Sequence, residues 1–415
     1  MSRSAHPIII VTGANGGVGT GICQRLLSQL CQKNPSDSHP LSSTTFQDQT
    51  PENVVYEGVT LIMACRNKRR GETARSELLK WFDRHLKGLE KQAFEKHVDG
   101  AKEVERIRQF KTHCRVEVAE LDLASFASVL KCASGIREKV PYISHLVLNA
   151  GVASFKGLDW ILIFKQLWEN PLGLVTEPTF YTQHCGEKSP DNLGWVWQSN
   201  VFGHFALVRE LEPLLLKAPL DGARVIWSSS LEASPKFYDS EDWQLVKTEH
   251  SYESVKYQID LISATLDEDA RNSPLHNPTR HFVSEPGVCS TNISSALVTP
   301  FLEMLKVILF YIYRIFGRQH LSIVPFKAAV AAAHLVLAPL AFIPLFLAND
   351  PDRRVRYGAT SDRWGHERVI LTPIKEWKTY KDEGRSLVKK CDKLYKELRA
   401  AELAAPVFEI ASEKI

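Results

Sequence analysis

The sequence lacks a surplus of either charge. Its 51 lysines and arginines stand against 48 aspartates and glutamates, a formal net charge of +3. A polyanion is held by many unopposed cations, so nucleic acid is not expected as a partner. Paired cysteines are missing too. Cys23, Cys31, Cys65, Cys114, Cys132, Cys185, Cys289 and Cys391 form no C-x-x-C and show the spacing of neither a zinc site nor a disulfide framework. A reducing compartment fits that usage. There is no internal repeat. The first strand is expected near Pro7, which leaves no room ahead of it for a secretory signal.

What is present is an alternation. "IIIV" (Ile8 to Val11) is β-branched and uninterrupted, as in a strand buried on both faces. It runs into "TGANGGVGTG" (Thr12 to Gly21), then into helical spacing at Ile22, Leu26, Leu27 and Leu30. Residues 34–57 are polar and predict a surface loop with little structure of its own. "VTLIMAC" predicts a second strand, and residues 83–112 one long solvated helix. "CRVEVAELDL" predicts a third strand ending at Asp122, and "SHLVLNAG", "ARVIWSSS" and "RHFVSEPGV" three more. "RRVRYGA" reads as the last strand. Strands and helices alternating at these lengths predict an α/β fold, a doubly wound parallel sheet in one elaborated domain over 1–375. Residues 376–415 read as a charged helical tail, either solvated or a partner surface.

A strand that enters a helix through glycine gathers backbone N–H groups and a helix N-terminus at one point. That point favours an anion, and glycine lets a diphosphate approach with no Cβ in the way. The spacing here is T-G-x-x-x-G-x-G, at Thr12, Gly13, Gly17 and Gly19. Further marks follow in order: "NAG" at Asn149, Asn200 in "NVFGHF", "SSS" at Ser228 to Ser230, Y-x-x-x-K at Tyr252 and Lys256, and "PG" at Pro286. In this order they resemble the short-chain dehydrogenase/reductase family, whose fold is Rossmann-type. The resemblance implies a dinucleotide held by Gly13, Asn15, Gly17, Val18, Gly19, Arg66, Asp122, Asn149, Tyr252, Lys256, Val288 and Thr291, with no metal. It also implies that Tyr252 gives a proton to a carbonyl oxygen as hydride arrives. Lys256 would hold the nicotinamide ribose, and a serine, Ser230 with Ser229 as alternative, would bond the same oxygen. Asn200 would position a water on the proton path; its alternative is a helix cap.

Tyr252 and Lys256 stand four apart, so both leave one helix face. An ammonium beside a phenol favours the phenolate, so Tyr252 is expected to be more acidic than a free tyrosine. The second strand ends "ACRNKRR", with no acid to bond a ribose 2′-hydroxyl. Arg66 stands there instead, suited to a 2′-phosphate, so NADPH/NADP is the expected cofactor. Arg69 and Arg70 read as a solvated helix start.

The insert at 154–195 is apolar and aromatic; it either walls a hydrophobic pocket or pads the core. On a helix, "PFLEMLKVILFYIYRIFGR" (Pro300 to Arg318) gathers Glu303, Lys306, Arg314 and Arg318 in one stripe, with apolar residues around the rest. That pattern predicts a helix lying in a bilayer interface, its charges toward water. Ala328 to Ala348 is long enough to span a bilayer, but Pro339, Pro344 and His334 interrupt it. It is expected to be a core helix from Ala328, then an apolar loop from Pro339 that dips into lipid. The whole 300–348 segment is thus expected to face membrane.

"ACRN", "IWSSS", "YESVKYQIDL" and "GATSDRWGHERV" narrow the resemblance to the fungal 3-keto-steroid reductases of sterol C-4 demethylation. That implies reduction of a sterol 3-ketone to the 3β-alcohol at the endoplasmic reticulum membrane, or on lipid droplets, with sterol-pathway enzymes as neighbours. The alternatives are another lipophilic carbonyl, such as a retinal-type aldehyde, or a scaffold that keeps the fold.

Overall fold

Ile8 and Ile10 pack to one side of the first strand, Ile9 and Val11 to the other, and all four are buried. Cover on both faces is what an apolar run without alternation implies. The computed structural model describes residues 3–41, 54–96, 100–171, 173–176, 178–219, 222–275, 278–289, 300–347 and 350–404. Its central sheet contains β1 (Ile8–Thr12), β2 (Val59–Cys65), β3 (Cys114–Glu120), β4 (His145–Leu148), β5 (Arg224–Ser228), β6 (Arg280–Glu285), β7 (Phe346–Leu347), β8 (Asp350–Ser361) and β9 (Glu367–Pro373). The parallel strands lie in the order β3-β2-β1-β4-β5-β6-β8. The order reverses between β1 and β4, which opens a cleft at the strands' carboxyl ends.

β7 and β9 run antiparallel to β8. The expected last strand is therefore the middle of β8, and β9 is a hairpin return that the sequence reading lacked. Val369 and Leu371 of β9 pack on the core, and this seats it.

The longer helices among the described residues are α1 (Gly17–Leu30), α2 (Lys68–Lys96), α3 (Gly100–Thr112), α4 (Phe126–Arg137), α5 (Trp160–Glu169), α6 (Gly203–Leu215), α7 (Ser251–Asn272), α8 (Pro300–Ile315), α9 (Val330–Leu337) and α10 (Trp377–Ala404). α4, α6, α7 and α10 share one buried core with Ile8 and Ile10. α1, α2, α3 and α9 share the other with Ile9 and Val11.

Three expectations change. The charged stretch 83–112 is not one helix. α2 and α3 fold back on each other, with Phe82 and Phe110 edge to face at 6.4 Å and Lys111 paired to Asp83 at 2.8 Å. The loop at 34–57 is anchored at its start, where Asp37 is buried and binds Arg25 through two hydrogen bonds, at 2.5 and 2.8 Å. Its end, Val54–Tyr56, pairs in parallel with Arg3–Ala5; residues 42–53 lie outside the described residues. Within the tail, α10 is docked: Leu387, Val388 and Cys391 are buried in the core, and Arg399 and Tyr395 each bond Glu210 at 2.6 Å.

The core helix expected from Ala328 is α9, wholly buried, with His334 Nδ1 donating to the Asp37 carbonyl at 2.9 Å. The apolar loop after it packs against the protein over much of its length. Phe342 and Ile343 are buried, and Leu340, Ile343 and Leu345 pack on the core. Among the described residues, no helix is long and apolar enough to cross a membrane.

Candidate active site

The glycine turn is shaped by contacts a side chain would break. Gly13 and Gly17 take φ of +66° and +50°, the left-handed region that favours glycine. A Cβ at Gly19 would lie 2.2 Å from the Gly13 carbonyl oxygen. The Thr12 hydroxyl ties this turn to β4, accepting from the amides of Asn149 and Ala150 at 2.9 and 3.0 Å. Asn149 Nδ2 returns a bond to the Thr12 carbonyl at 3.1 Å. His204 fixes the hydroxyl's proton. Burial holds the imidazole near pKa 4, hence neutral, so Nδ1–H donates to the Asn200 carbonyl and Nε2 faces Thr12 at 2.9 Å.

α1 starts with no acid in its first turn, and Gly16, its N-cap, makes no side-chain cap. Nothing lies within 4 Å of where a Gly16 Cβ would stand. Unsatisfied N–H groups thus face open space at the positive end of a helix, which fits a diphosphate.

That space is a cavity of about 920 Å³. At one end it is walled by Asn15, Val18, Arg66, Arg70 and Asp122, and further along by Asn149 and Val288. Asp122 Oδ1 accepts from the Ala124 amide at 3.0 Å, which fixes the turn after β3. Arg66 and Arg70 are both exposed. Arg70, expected only as part of a solvated helix start, lines the cavity with Arg66. Asn67 accepts from the Arg70 amide at 2.9 Å and so begins α2 where both guanidiniums border the cavity. Their spacing of four was the available signal. Thr291 lies outside the described residues.

At the other end stand Ser230, Tyr252 and Lys256. The Ser230 hydroxyl favours ionisation of the Tyr252 phenol, against the larger effect of burial. Ser229 instead donates to the Lys256 carbonyl at 3.3 Å, and the Ser228 carbonyl accepts from Lys256 Nζ at 2.8 Å. Of the three serines, Ser230 is the one whose hydroxyl acts on the phenol. Asn200 lies in a π-helical turn, Gln198–Phe202. Its amide donates to the carbonyls of Val152 and Val196 and accepts from the Val152 amide. Its side chain braces the loop after "NAG", so any water would have to be held by something other than its amide donors.

The acidity expected of Tyr252 is reversed. Burial is the largest cause, and the Glu232 carboxylate adds to it; both raise the phenol well above its ordinary value. Burial also lowers the Lys256 ammonium to about 8, against the pull of Asp260 and Glu232. With no anionic partner at hydrogen-bond distance among the described residues, the buried ammonium does not overcome the phenol's own desolvation. A phenol so placed keeps its proton at neutral pH and is an acid ready to donate. Glu232 escaped the sequence reading. It lines the cavity, and burial with Glu253 nearby raises it to about 8.

Beyond Tyr252 the cavity is apolar. The insert supplies Phe155, Leu158, Trp160, Ile163 and Phe180, so it walls the pocket. α8 supplies Leu302, Leu305, Leu309 and Phe310 from the opposite side. α8 is turned differently from expectation. Glu303, Lys306 and Arg314 are half-buried against the protein, whereas Phe301, Met304, Ile308, Ile312 and Ile315 are exposed.

Fold and site together define a short-chain dehydrogenase/reductase. Comparison with models of protein families finds none that matches the chain. Curated relatives do match. The 3-keto-steroid reductase erg27 of Schizosaccharomyces pombe is 31% identical over 367 residues, 88% of this chain and 90% of that one. The enzyme of the same name from Aspergillus fumigatus is 28% identical over 90% of this chain and 83% of its own. The 3-keto-steroid reductase/17-beta-hydroxysteroid dehydrogenase 7 of Rattus norvegicus is 24% identical over 79% and 80%. Among solved structures, the Pseudomonas aeruginosa RhlG/NADP active-site complex matches with TM-score 0.46 and 16% identity over 82% of this chain and 92% of that one. The chain belongs to the 3-keto-steroid reductase family and is an oxidoreductase.

Proposed function

We propose that the protein uses NADPH to reduce the 3-ketone of a sterol to the 3β-alcohol during C-4 demethylation. The observation that carries the reading is one cavity that brings Ser230, Tyr252 and Lys256 between a glycine turn and an apolar chamber. A nicotinamide dinucleotide, bound along the glycine turn, supplies the hydride. Gly17 and Gly19 would present amides to its diphosphate, and Arg66 with Arg70 favours a 2′-phosphate. Tyr252 holds a proton at its hydroxyl and gives it to the ketone oxygen, which Ser230 steadies. Lys256, fixed through Ser228, keeps a cation beside the phenol as the proton leaves. Walls of Phe155, Leu158, Leu305 and Leu309 exclude water and suit a fused apolar ring system. The work is done at the endoplasmic reticulum membrane, beside other sterol-pathway enzymes. Turnover with NADPH and NADH against 3-keto-sterols, other ketosteroids and retinal tests this. Preference for retinal, or no turnover of any 3-keto-sterol, would overturn it.

A further inference from the structure

α5 and α8 are built inside out. On a globular surface, a helix turns its apolar stripe inward and its polar face to water. In α5 the buried side chain is Gln166, 8% exposed, which accepts from the Thr179 amide and hydroxyl at 3.0 Å each. Ile161 and Trp168 are 80% and 90% exposed. In α8 the polar side is the inner one: Lys306 pairs with Glu303 at 2.6 Å and borders the cavity. The Arg314 guanidinium packs where a Gly365 Cβ would meet it at 3.2 Å, while Ile308, Ile312 and Ile315 face outward.

The two helices form one rim. Tyr313 Oη donates to the Pro171 carbonyl at 2.6 Å, just past the end of α5. Each also lines the cavity, α5 through Trp160 and Ile163, α8 through Leu302 and Leu305. Their outward apolar faces therefore border the apolar half of the same cavity. Where α8 ends, Phe316 is exposed, and so is Trp364 in the β8–β9 turn. Arg318 follows α8 and the exposed Arg363 stands beside Trp364, and neither makes an ion pair among the described residues. Aromatic side chains with unopposed guanidiniums are what a phosphate-bearing, acyl-filled boundary accepts.

We infer that α5, α8 and the β8–β9 turn form a single docking face for a phospholipid bilayer, with the cavity opening into the lipid between the helices. The inference rests on the reading of the substrate as a lipophilic ketone. A second copy of the chain seated on this rim would plug the cavity. Fluid acyl chains would cover the same surface and still pass an apolar solute.

The test uses the full chain, vesicles of phosphatidylcholine and phosphatidylserine, and two double variants, Ile161→Asp with Trp168→Asp and Ile308→Asp with Ile312→Asp. None of the four positions lines the cavity. The wild type should float with the vesicles, less well with phosphatidylcholine alone, and each double variant should bind at least about tenfold more weakly. Turnover of a small water-soluble ketone should stay within about twofold in each variant, which excludes misfolding, while turnover of a vesicle-borne ketone falls. Failure of the wild type to float, variants that float as well as it does, or loss of a dimer in place of vesicle binding would each overturn the docking face. Floating with no turnover of any 3-keto-sterol would support the face and strike down the substrate reading alone.

Discussion

Lys256 Nζ lies 5.7 Å from the centroid of the Tyr252 ring, one helical turn away on α7. The same nitrogen bonds the Ser228 carbonyl at 2.8 Å, two residues before Ser230. Helix and strand are thus locked to each other through the reacting groups. Tyr252→Phe removes the transferable proton and keeps the packing. It should lower kcat by about 10²–10⁴ while dinucleotide affinity, read from nicotinamide fluorescence, changes by less than about twofold. Ser230→Ala should cost about 10²–10³ in kcat.

Glu232 makes the pH dependence distinctive. In the wild type, two changes meet near pH 8: Lys256 loses its proton and Glu232 ionises. kcat/KM should fall above about pH 8. Glu232→Gln should leave a limb that fits the Lys256 ionisation alone. Stability supplies a second readout. The folded value of about 8 exceeds the ordinary 4.5, so the Glu232 contribution is full below about 4.5 and is lost as pH rises to about 8. The variant does not titrate there, so its Tm minus that of the wild type should grow across that window.

Arg66→Glu should lower the NADPH/NADH ratio of kcat/KM by about 10–100-fold, the value of one charged hydrogen-bonded contact. Arg70→Glu should act in the same direction, and the pair should go further than either alone. An unchanged ratio in both would remove these two side chains from the 2′-phosphate.

Two glycines separate packing from binding. Gly19→Ala forces a methyl to 2.2 Å from the Gly13 carbonyl, so both Tm and dinucleotide affinity should fall. Gly16 is extended, at φ −170°, with open space around it. Gly16→Ala should keep its Tm within about 2 °C, since a surface change costs little, yet weaken dinucleotide binding through the methyl it places at the helix N-terminus.

Arg25 and Asp37 are both about 95% buried at their side chains, and Arg25 also holds Glu367 at 2.8 Å. Arg25→Ala leaves the buried Asp37 without its cation and Glu367 with Lys327 alone, at 3.9 Å. It should cost about 3–5 kcal/mol in chemical unfolding with little direct effect on turnover by the folded fraction.

Local signals were the ones legible in the sequence. The run at Ile8, the glycines after it and the Tyr252–Lys256 spacing each state their element within a few residues, so the doubly wound sheet and its reacting end could be read. What was missed depends on contacts between distant segments. Charge density alone does not say that 83–112 turns back on itself, because the Lys111–Asp83 pair exists only once it has. β9 needs β8 beside it, and Glu232 becomes an unusual acid only when burial and Glu253 surround it. The acidity expected of Tyr252 failed for the same reason: spacing along a helix gives a neighbour, not the depth of burial. α8 was recognised as amphipathic, but which side faced the protein was set by the cavity behind it.

α10 lies across the outer side of α7, and Gly384 allows the approach: a Cβ there would stand 2.5 Å from Thr265 Oγ1 and 3.1 Å from the Leu261 carbonyl. The helix that presents the phenol is therefore splinted from behind by a segment far along the chain. Trimming or loosening that splint should blur the aim of the proton donor, which makes the last helix a remote handle on turnover.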